Sequence, residues 1–189
     1  MSKFLENLSI HLKILKKQKL ELSNKINIFS EIIIKAFNNG GKLLIVGNGG
    51  SAADAQHLAT ELVVRMAKKR KALPAIALTT DTSVLTATAN DFNYNYVFSR
   101  QIEAIGREGD VLLSISTSGN SKNIIEAIKK AKKMKINTLS LLGNNGGNTK
   151  KISSDFFVVK NSNPSRVQEI HIIFYHNICQ IIEDYFFKK

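Results

Sequence analysis

Cysteine and proline are nearly missing from this chain: Cys179 stands alone, and Pro74 and Pro164 are the only prolines in 189 residues. One thiol cannot close an intramolecular disulfide, and Cys179 lies in an apolar run with Ile178, Ile181 and Ile182. That usage argues against a disulfide-stapled secreted scaffold and for a reducing, cytoplasmic setting. No apolar run reaches the roughly 18 residues that a membrane helix requires, so no membrane role is expected. A signal-peptide block is absent as well, because Phe4, Leu5, Leu8, Leu12 and Leu15 recur at helical spacing among lysines. There is no internal repeat, low-complexity linker or break in composition. The length then suits a single domain over residues 1–189 with a sizeable core.

Acidic residues are scarce beside basic ones, 15 against 27, for a formal net charge of +12. A site for single-stranded nucleic acid needs cations interleaved with aromatic platforms. Here the cations are scattered. Lys13, Lys16, Lys17 and Lys19 mark the polar side of a first helix. Arg65, Lys68, Lys69, Arg70 and Lys71 are expected to close a second, and Lys129, Lys130, Lys132, Lys133 and Lys135 to end a third, where the helix dipole favours cations. No nucleic-acid partner is expected, although the basic surface draws anionic substrates inward.

Residues 3–37 read as two helices, with Ile26, Phe29, Ile33 and Phe37 spaced for one face, stopped by Gly40-Gly41. Apolar runs follow at 42–46, 75–79, 111–116, 138–142 and 156–159, separated by segments of helical length. Their continuous apolar character suits parallel strands covered on both faces. The expected fold is α/β, a three-layer, doubly wound, five-stranded parallel sheet. Residues 1–40 form a helical extension to it. A last helix from about residue 165 is apolar on several sides through Ile170, Ile172, Ile173, Phe174, Ile178, Ile181 and Ile182, so part of its surface and the extension are expected to pack in a homo-oligomer.

Two turns carry the strongest functional signal. Gly47-Asn48-Gly49-Gly50-Ser51-Ala52 and Ser116-Thr117-Ser118-Gly119-Asn120-Ser121 each follow a strand and open a helix. Each presents free backbone N–H groups, hydroxyls and a positive helix end to an anion, and together they indicate a phosphorylated small molecule. Gly143-Asn144-Asn145-Gly146-Gly147 is a third, flexible loop on the same sheet edge.

Beyond the first turn, His57 and Glu61 stand at i and i+4, which puts an imidazole and a carboxylate on one helix face as a metal site requires. Ala52, Ala53, Ala55 and Ala59 around them imply close packing. In the last helix Gln168, Glu169, His171 and His176 are polar groups in an apolar stretch, and each needs a partner if buried. Periodicity does not choose between His171 and His176, which point to different sides. The residues by themselves indicate a phosphosugar or nucleotide site with an optional metal, and leave the reaction open.

Taken in order, GNGGSAADAQHLATEL, TATANDF, GDVLLSISTSGNS and RVQEIH resemble the sugar isomerase (SIS) domain of the bacterial phosphoheptose isomerases over nearly the whole chain. The resemblance implies a flavodoxin-like SIS fold and a homotetramer with one zinc ion per subunit. It also implies interconversion of sedoheptulose 7-phosphate and D-glycero-D-manno-heptose 7-phosphate, the first step toward activated heptose for surface polysaccharide. Carried over position by position, it implies His57, Glu61, Gln168 and His176 as metal ligands, which leaves His171 as a packing residue. Substrate contacts would fall on Asn48, Gly49, Gly50, Ser51, Asn90, Asp91, Ser116, Thr117, Ser118 and Ser121, with Glu61 and Gln168 also touching sugar. Residues 116–121 would hold the phosphate, with Arg65 a charged partner. Glu61 would act as general base and His176 as the proton-shuttling partner.

Three rivals follow from the same features. Initiator-associating SIS proteins keep the scaffold and bind a replication initiator, but they lack the acid and the imidazole found here at Glu61 and His176. Gly47-x-Gly49-x-x-Ala52 formally fits a dinucleotide-binding pattern, yet Asp81 is too far along for its ribose-binding acid. A related enzyme acting on a hexose or pentose phosphate is the third.

Overall fold

The structure, a computed structural model, describes residues 2–188. The two helices expected before Gly40 are one, α1 (Lys3–Asn38), with Ser2 as its N-cap. No glycine or proline lies between its ends to break it. Its lysines face solvent, apart from the half-buried Lys25 that pairs with Asp155, while Ile14, Gln18, Leu22, Ile26, Phe29 and Ile33 are buried. Gly40, at φ 77°, takes the left-handed turn that ends the helix.

Five strands follow: β1 (Leu43–Gly47), β2 (Ala75–Ala77), β3 (Val111–Ser116), β4 (Asn137–Gly143) and β5 (Asp155–Val159). All pair in parallel, in the order β2-β1-β3-β4-β5. β1 and β3 are buried along their whole length, as their unbroken apolar runs require. The second strand ends at Ala77, short of its expected span, and this three-residue strand forms one edge of the sheet. The connecting helices are α2 (Gly50–Val63), α3 (Thr82–Asp91), α4 (Ser99–Ile105), α5 (Lys122–Lys133), α6 (Gly147–Ile152) and α7 (Pro164–Phe186).

Alternation along the strands divides the core in two. Leu43, Ile45, Leu113 and Ile115 join a cluster with α1, α2 and α7, whereas Leu44, Val46 and Leu112 join one with α4 and α5. The doubly wound, three-layer architecture follows, in the flavodoxin-like strand order. The direction in which strands are added across the sheet reverses between β1 and β3, so the turn after β1 enters α2 on one face and the turn after β3 enters α5 on the other. Ligands of such sheets bind at that switch point. Among the described residues, no helix is long and apolar enough to cross a membrane.

The basic run 65–71 does not close a helix, because α2 ends at Val63. Instead it folds back as a clasp. Arg70 Nε lies 2.7 Å from Glu183 Oε1 in α7, with the two side chains 1% and 0% exposed. Arg70 also donates to the carbonyls of Glu61 (2.7 Å) and Leu62 (2.8 Å), at the end of α2. Glu183 accepts from the backbone N–H groups of Met66, Ala67 and Lys68. The physical reason is desolvation: a buried carboxylate must be surrounded by donors. Burial alone would raise the Glu183 pKa, but Arg70 and the three amides outweigh it and hold the carboxyl below its ordinary value.

A depressed carboxylate contributes stability above its unfolded pKa of about 4.3, and that stability is lost as pH falls through the lower folded value. Glu183→Gln should therefore cost about 3 kcal/mol at neutral pH, read from the urea midpoint, with the gap to wild type narrowing below pH 4. An unchanged midpoint at pH 7 would contradict the clasp.

Candidate active site

α2 and α7 lie side by side on one face of the sheet, and their seam brings distant residues together. On α2 the i, i+4 pair meets as its spacing requires, with His57 Nε2 3.1 Å from Glu61 Oε1. From α7, His176 Nε2 comes within 3.5 Å of the same His57 nitrogen. Ligand atoms of His57, Glu61 and His176 all lie within 4.8 Å of one another. Of the two α7 histidines that periodicity left open, it is His176 that joins this cluster. His171 is fully buried on another side of α7, where its Nε2–H donates to the Leu142 carbonyl at 3.1 Å. Burial, opposed by that hydrogen bond, lowers its pKa to about 4, so it is a neutral packing residue.

Donor chemistry and spacing both fit zinc. Two imidazole nitrogens and a carboxylate oxygen are ordinary zinc ligands, and bonds near 2.0–2.1 Å in tetrahedral geometry separate neighbouring donors by about 3.3 Å. The observed separations of 3.1 and 3.5 Å bracket that value. Two imidazole Nε2 atoms facing each other also repel if both present lone pairs, which a cation relieves. Burial and the neighbouring His57 lower the His176 pKa, with Glu61 pulling the other way, so its neutral form is favoured.

Gln168 lies two helical turns before His176 on α7. It rests on the first turn of α2: a Cβ added at Gly50 would fall 2.3 Å from Gln168 Nε2. A side chain at position 50 would have to displace the end of Gln168, which thus lies in the same seam as the other three polar groups.

The two turns meet across the switch point. Asn48, after β1, exchanges side-chain hydrogen bonds of 2.9 and 2.8 Å with Asn123 in the first turn of α5. Gly49 has φ 55° and caps α2 without a side-chain bond, and Ser51 is buried in that first turn. In the second turn, Ser116 Oγ accepts from Gly119 N–H and Ser118 Oγ accepts from Asn120 N–H, while Thr117 is half-buried between them. Ser121 caps α5 without spending its hydroxyl on the helix. The loop 143–147 packs as a wall behind this turn. A Cβ at Gly119 would strike the Gly146 carbonyl at 2.1 Å, and Asn120 Oδ1 accepts from Asn148 N–H.

Asn90 and Asp91 end α3 on the surface, with Asn90 donating to Asp91 at 2.9 Å. Neither bonds to the first turn in this structure; the nearby Tyr94 does, its hydroxyl donating to Asn48 Oδ1 at 3.2 Å. Arg65 is exposed just past α2 and joins none of these bonds. Asp81, the acid of the dinucleotide pattern, instead caps α3 by accepting from Val84 N–H, and the strand order is not the classical dinucleotide-binding one.

Several residues at the site had not been singled out in the sequence. Tyr175 is fully buried and places its hydroxyl 3.0 Å from His57 Nδ1. Asp54 is buried one turn before His57, and its Oδ2 has no hydrogen-bond partner. Burial raises the Asp54 pKa, against the opposing influence of His57 and the Tyr175 hydroxyl. A lone acid among alanines, three residues before a ligand-type histidine, is the one local sign of this arrangement.

Two glycine- and serine-rich turns that open helices at the switch point of a flavodoxin-like sheet place this chain among α/β domains with a site suited to a phosphorylated ligand, and residues 8–143 match the SIS domain family. The phosphoheptose isomerase 1 of Campylobacter jejuni is 49% identical over 176 residues, which cover 93% of this chain and 94% of that relative. The solved structure of the phosphoheptose isomerase GmhA from Neisseria gonorrhoeae matches with a TM-score of 0.91 at 38% identity, covering 96% of this chain and 97% of that one. A phosphoheptose isomerase from Francisella tularensis gives 0.87 at 32% identity, covering 97% and 100%. The chain belongs to the phosphoheptose isomerases of the SIS-domain family. It is therefore a sugar-phosphate isomerase of the aldose–ketose type.

Gly50→Ala should push Gln168 out of the seam. With the far-UV circular dichroism unchanged, isomerase turnover should fall about 10²-fold, the usual effect of displacing a site group by an ångström. Wild-type turnover would show that the glycine serves only the turn.

Proposed function

We propose that this enzyme converts sedoheptulose 7-phosphate to D-glycero-D-manno-heptose 7-phosphate through an enediol. The observation that carries this reading is the meeting of Glu61 and His176 at His57, beside two turns suited to one phosphate. The turn 116–121 holds the phosphate through Ser116, Thr117, Ser118 and Ser121 and the amide end of α5. Asn48, Gly49, Gly50 and Ser51 bind the sugar chain, joined by Asn90, Asp91 and Gln168. Arg65 adds charge from the rim of the same or a neighbouring subunit.

Isomerisation moves a carbonyl from C2 to C1. Glu61 removes a proton from C1, the electron pair forms the C1=C2 double bond, and the C2 oxygen gains a proton. Return of the carbon proton to C2, with loss of the O1 proton, completes the aldose. His176, neutral at ordinary pH, moves the proton between the oxygens. His57, Glu61, Gln168 and His176 hold one zinc ion per subunit, which when bound supplies Lewis-acid polarisation of the sugar oxygens. A non-catalytic scaffold that binds a replication initiator would not need this acid and imidazole in contact.

The enzyme acts in the cytoplasm as one domain at the first step of activated-heptose synthesis, in a homotetramer. Phe4 and Leu12 on the outer end of α1 are 69% and 55% exposed, with Leu5 and Leu8 beside them, and these residues bury their apolar stripe against other copies of the chain.

Glu61→Gln should leave the fold intact and lower turnover on sedoheptulose 7-phosphate by roughly 10²-fold or more; wild-type turnover would refute the base. Exhaustive chelation should abolish activity and zinc should restore it. Leu8→Lys with Leu12→Lys should shift sedimentation toward smaller species at micromolar concentration, and an unaltered profile would place the interface elsewhere.

A further inference from the structure

Asn48 and Asn123 face each other across the switch point as a reciprocal amide pair, and each oxygen of that pair accepts twice. Asn123 Oδ1 takes the Asn48 Nδ2–H at 2.9 Å and the backbone N–H of Ile124 at 3.0 Å. Asn48 Oδ1 takes the Asn123 Nδ2–H at 2.8 Å and the Tyr94 hydroxyl at 3.2 Å. Asn123 is 3% exposed, whereas Asn48 is half-buried. We propose that Asn123 is a positioning residue: it fixes the Asn48 amide in one orientation, so that Asn48 meets a ligand only as an N–H donor and selects an oxygen on the sugar chain. This inference rests on the sugar-phosphate reading of the two turns given above.

The orientation of the pair follows from a group that cannot change its role. A backbone N–H only donates, so the atom of Asn123 that faces Ile124 is the carbonyl oxygen. In a planar amide this puts the Asn123 Nδ2–H opposite the Asn48 oxygen, and Asn48 is set in turn. Were Asn48 alone to turn over, nitrogen would face nitrogen and oxygen would face oxygen. Both bonds of the pair would be lost, and Asn123 is too buried to replace them from solvent. An asparagine amide offers two lone pairs and two hydrogens. Both lone pairs of Asn48 are taken and one hydrogen goes to Asn123, which leaves the second Nδ2 hydrogen for a ligand. A free asparagine accepts or donates with equal ease, whereas a locked one discriminates, because a donor brought to it finds no lone pair. The pair also joins the turn after β1 to the first turn of α5, so it carries orientation from the phosphate end of the site to the sugar end.

The test uses Asn48→Ala, Asn123→Ala and the double variant of the full-length protein, each assayed for kcat/KM on sedoheptulose 7-phosphate and for competitive inhibition by inorganic phosphate. Asn123→Ala should lower kcat/KM about 10-fold, the scale of one hydrogen bond to the ligand. The inhibition constant of inorganic phosphate should not move with it, because the phosphate turn keeps its own donors. In the Asn48→Ala background the same substitution should add less than about 2-fold, since its effect passes through Asn48. A merely structural role would weaken phosphate and sugar phosphate alike and add its full loss to that of Asn48→Ala. Either result, or wild-type kcat/KM in Asn123→Ala, overturns the inference. Should Asn123→Ala fail to fold, Asn123→Ser decides in the same cycle, since it keeps a polar group in the first turn of α5 but is one bond too short for Asn48. Wild-type protein that binds inorganic phosphate yet leaves sedoheptulose 7-phosphate unchanged would instead bring down the substrate proposed above, and this inference with it.

Discussion

Everything at this site depends on the register of α2 against α7. The seam is pinned at three levels. At one end the Gln168 amide lies on the bare Cα of Gly50. In the middle Tyr175 meets His57. At the other end Arg70 joins the last carbonyls of α2 to Glu183 of α7. A slip of one residue along a helix rotates its side chains by about 100°, which would part His176 from His57 and Glu61. Small residues make so close an approach possible, and the buried Arg70–Glu183 pair makes departures from it costly.

Topology supplies the complementary half. The strand order reverses its winding between β1 and β3, so two glycine- and serine-rich turns open side by side and the Asn48–Asn123 exchange locks them together. The loop 143–147 then braces the second turn from behind through contacts that only glycine permits at Gly119. An anion bound there meets backbone groups whose positions are already fixed, beside polar side chains of the α2–α7 seam. The excess of basic residues over acidic ones adds a long-range attraction for a phosphorylated substrate.

Much of this was legible in the residues, for identifiable reasons. Strands buried on both faces announce themselves as unbroken apolar runs, and their spacing dictates parallel pairing through helices. His57 and Glu61 could be paired because helical geometry fixes i, i+4 neighbours. By contrast, the continuity of α1 is permitted by its lack of internal glycine and proline, while the packing of Ile14, Leu22 and Phe29 in the core that carries it is a tertiary effect. Arg70 read as one of a basic cluster ending a helix; its burial depends on Glu183, more than a hundred residues away. Asn123, Tyr94, Tyr175 and Asp54 were silent for the same reason, since each acquires a role only from a partner on another element. His171 and His176 are equally polar in sequence, and only the position of α2 separates a packing imidazole from one that faces His57.

The central claim is that two helices converge to make one cation-holding centre next to a phosphate cradle. Anomalous diffraction at the zinc edge from crystals of the zinc-loaded protein tests it most directly. The account predicts one peak per subunit, bonded to His57 Nε2, Glu61 and His176 Nε2, with the Gln168 side chain completing the shell. A peak bound elsewhere, or none in protein that still isomerises its substrate, would contradict it.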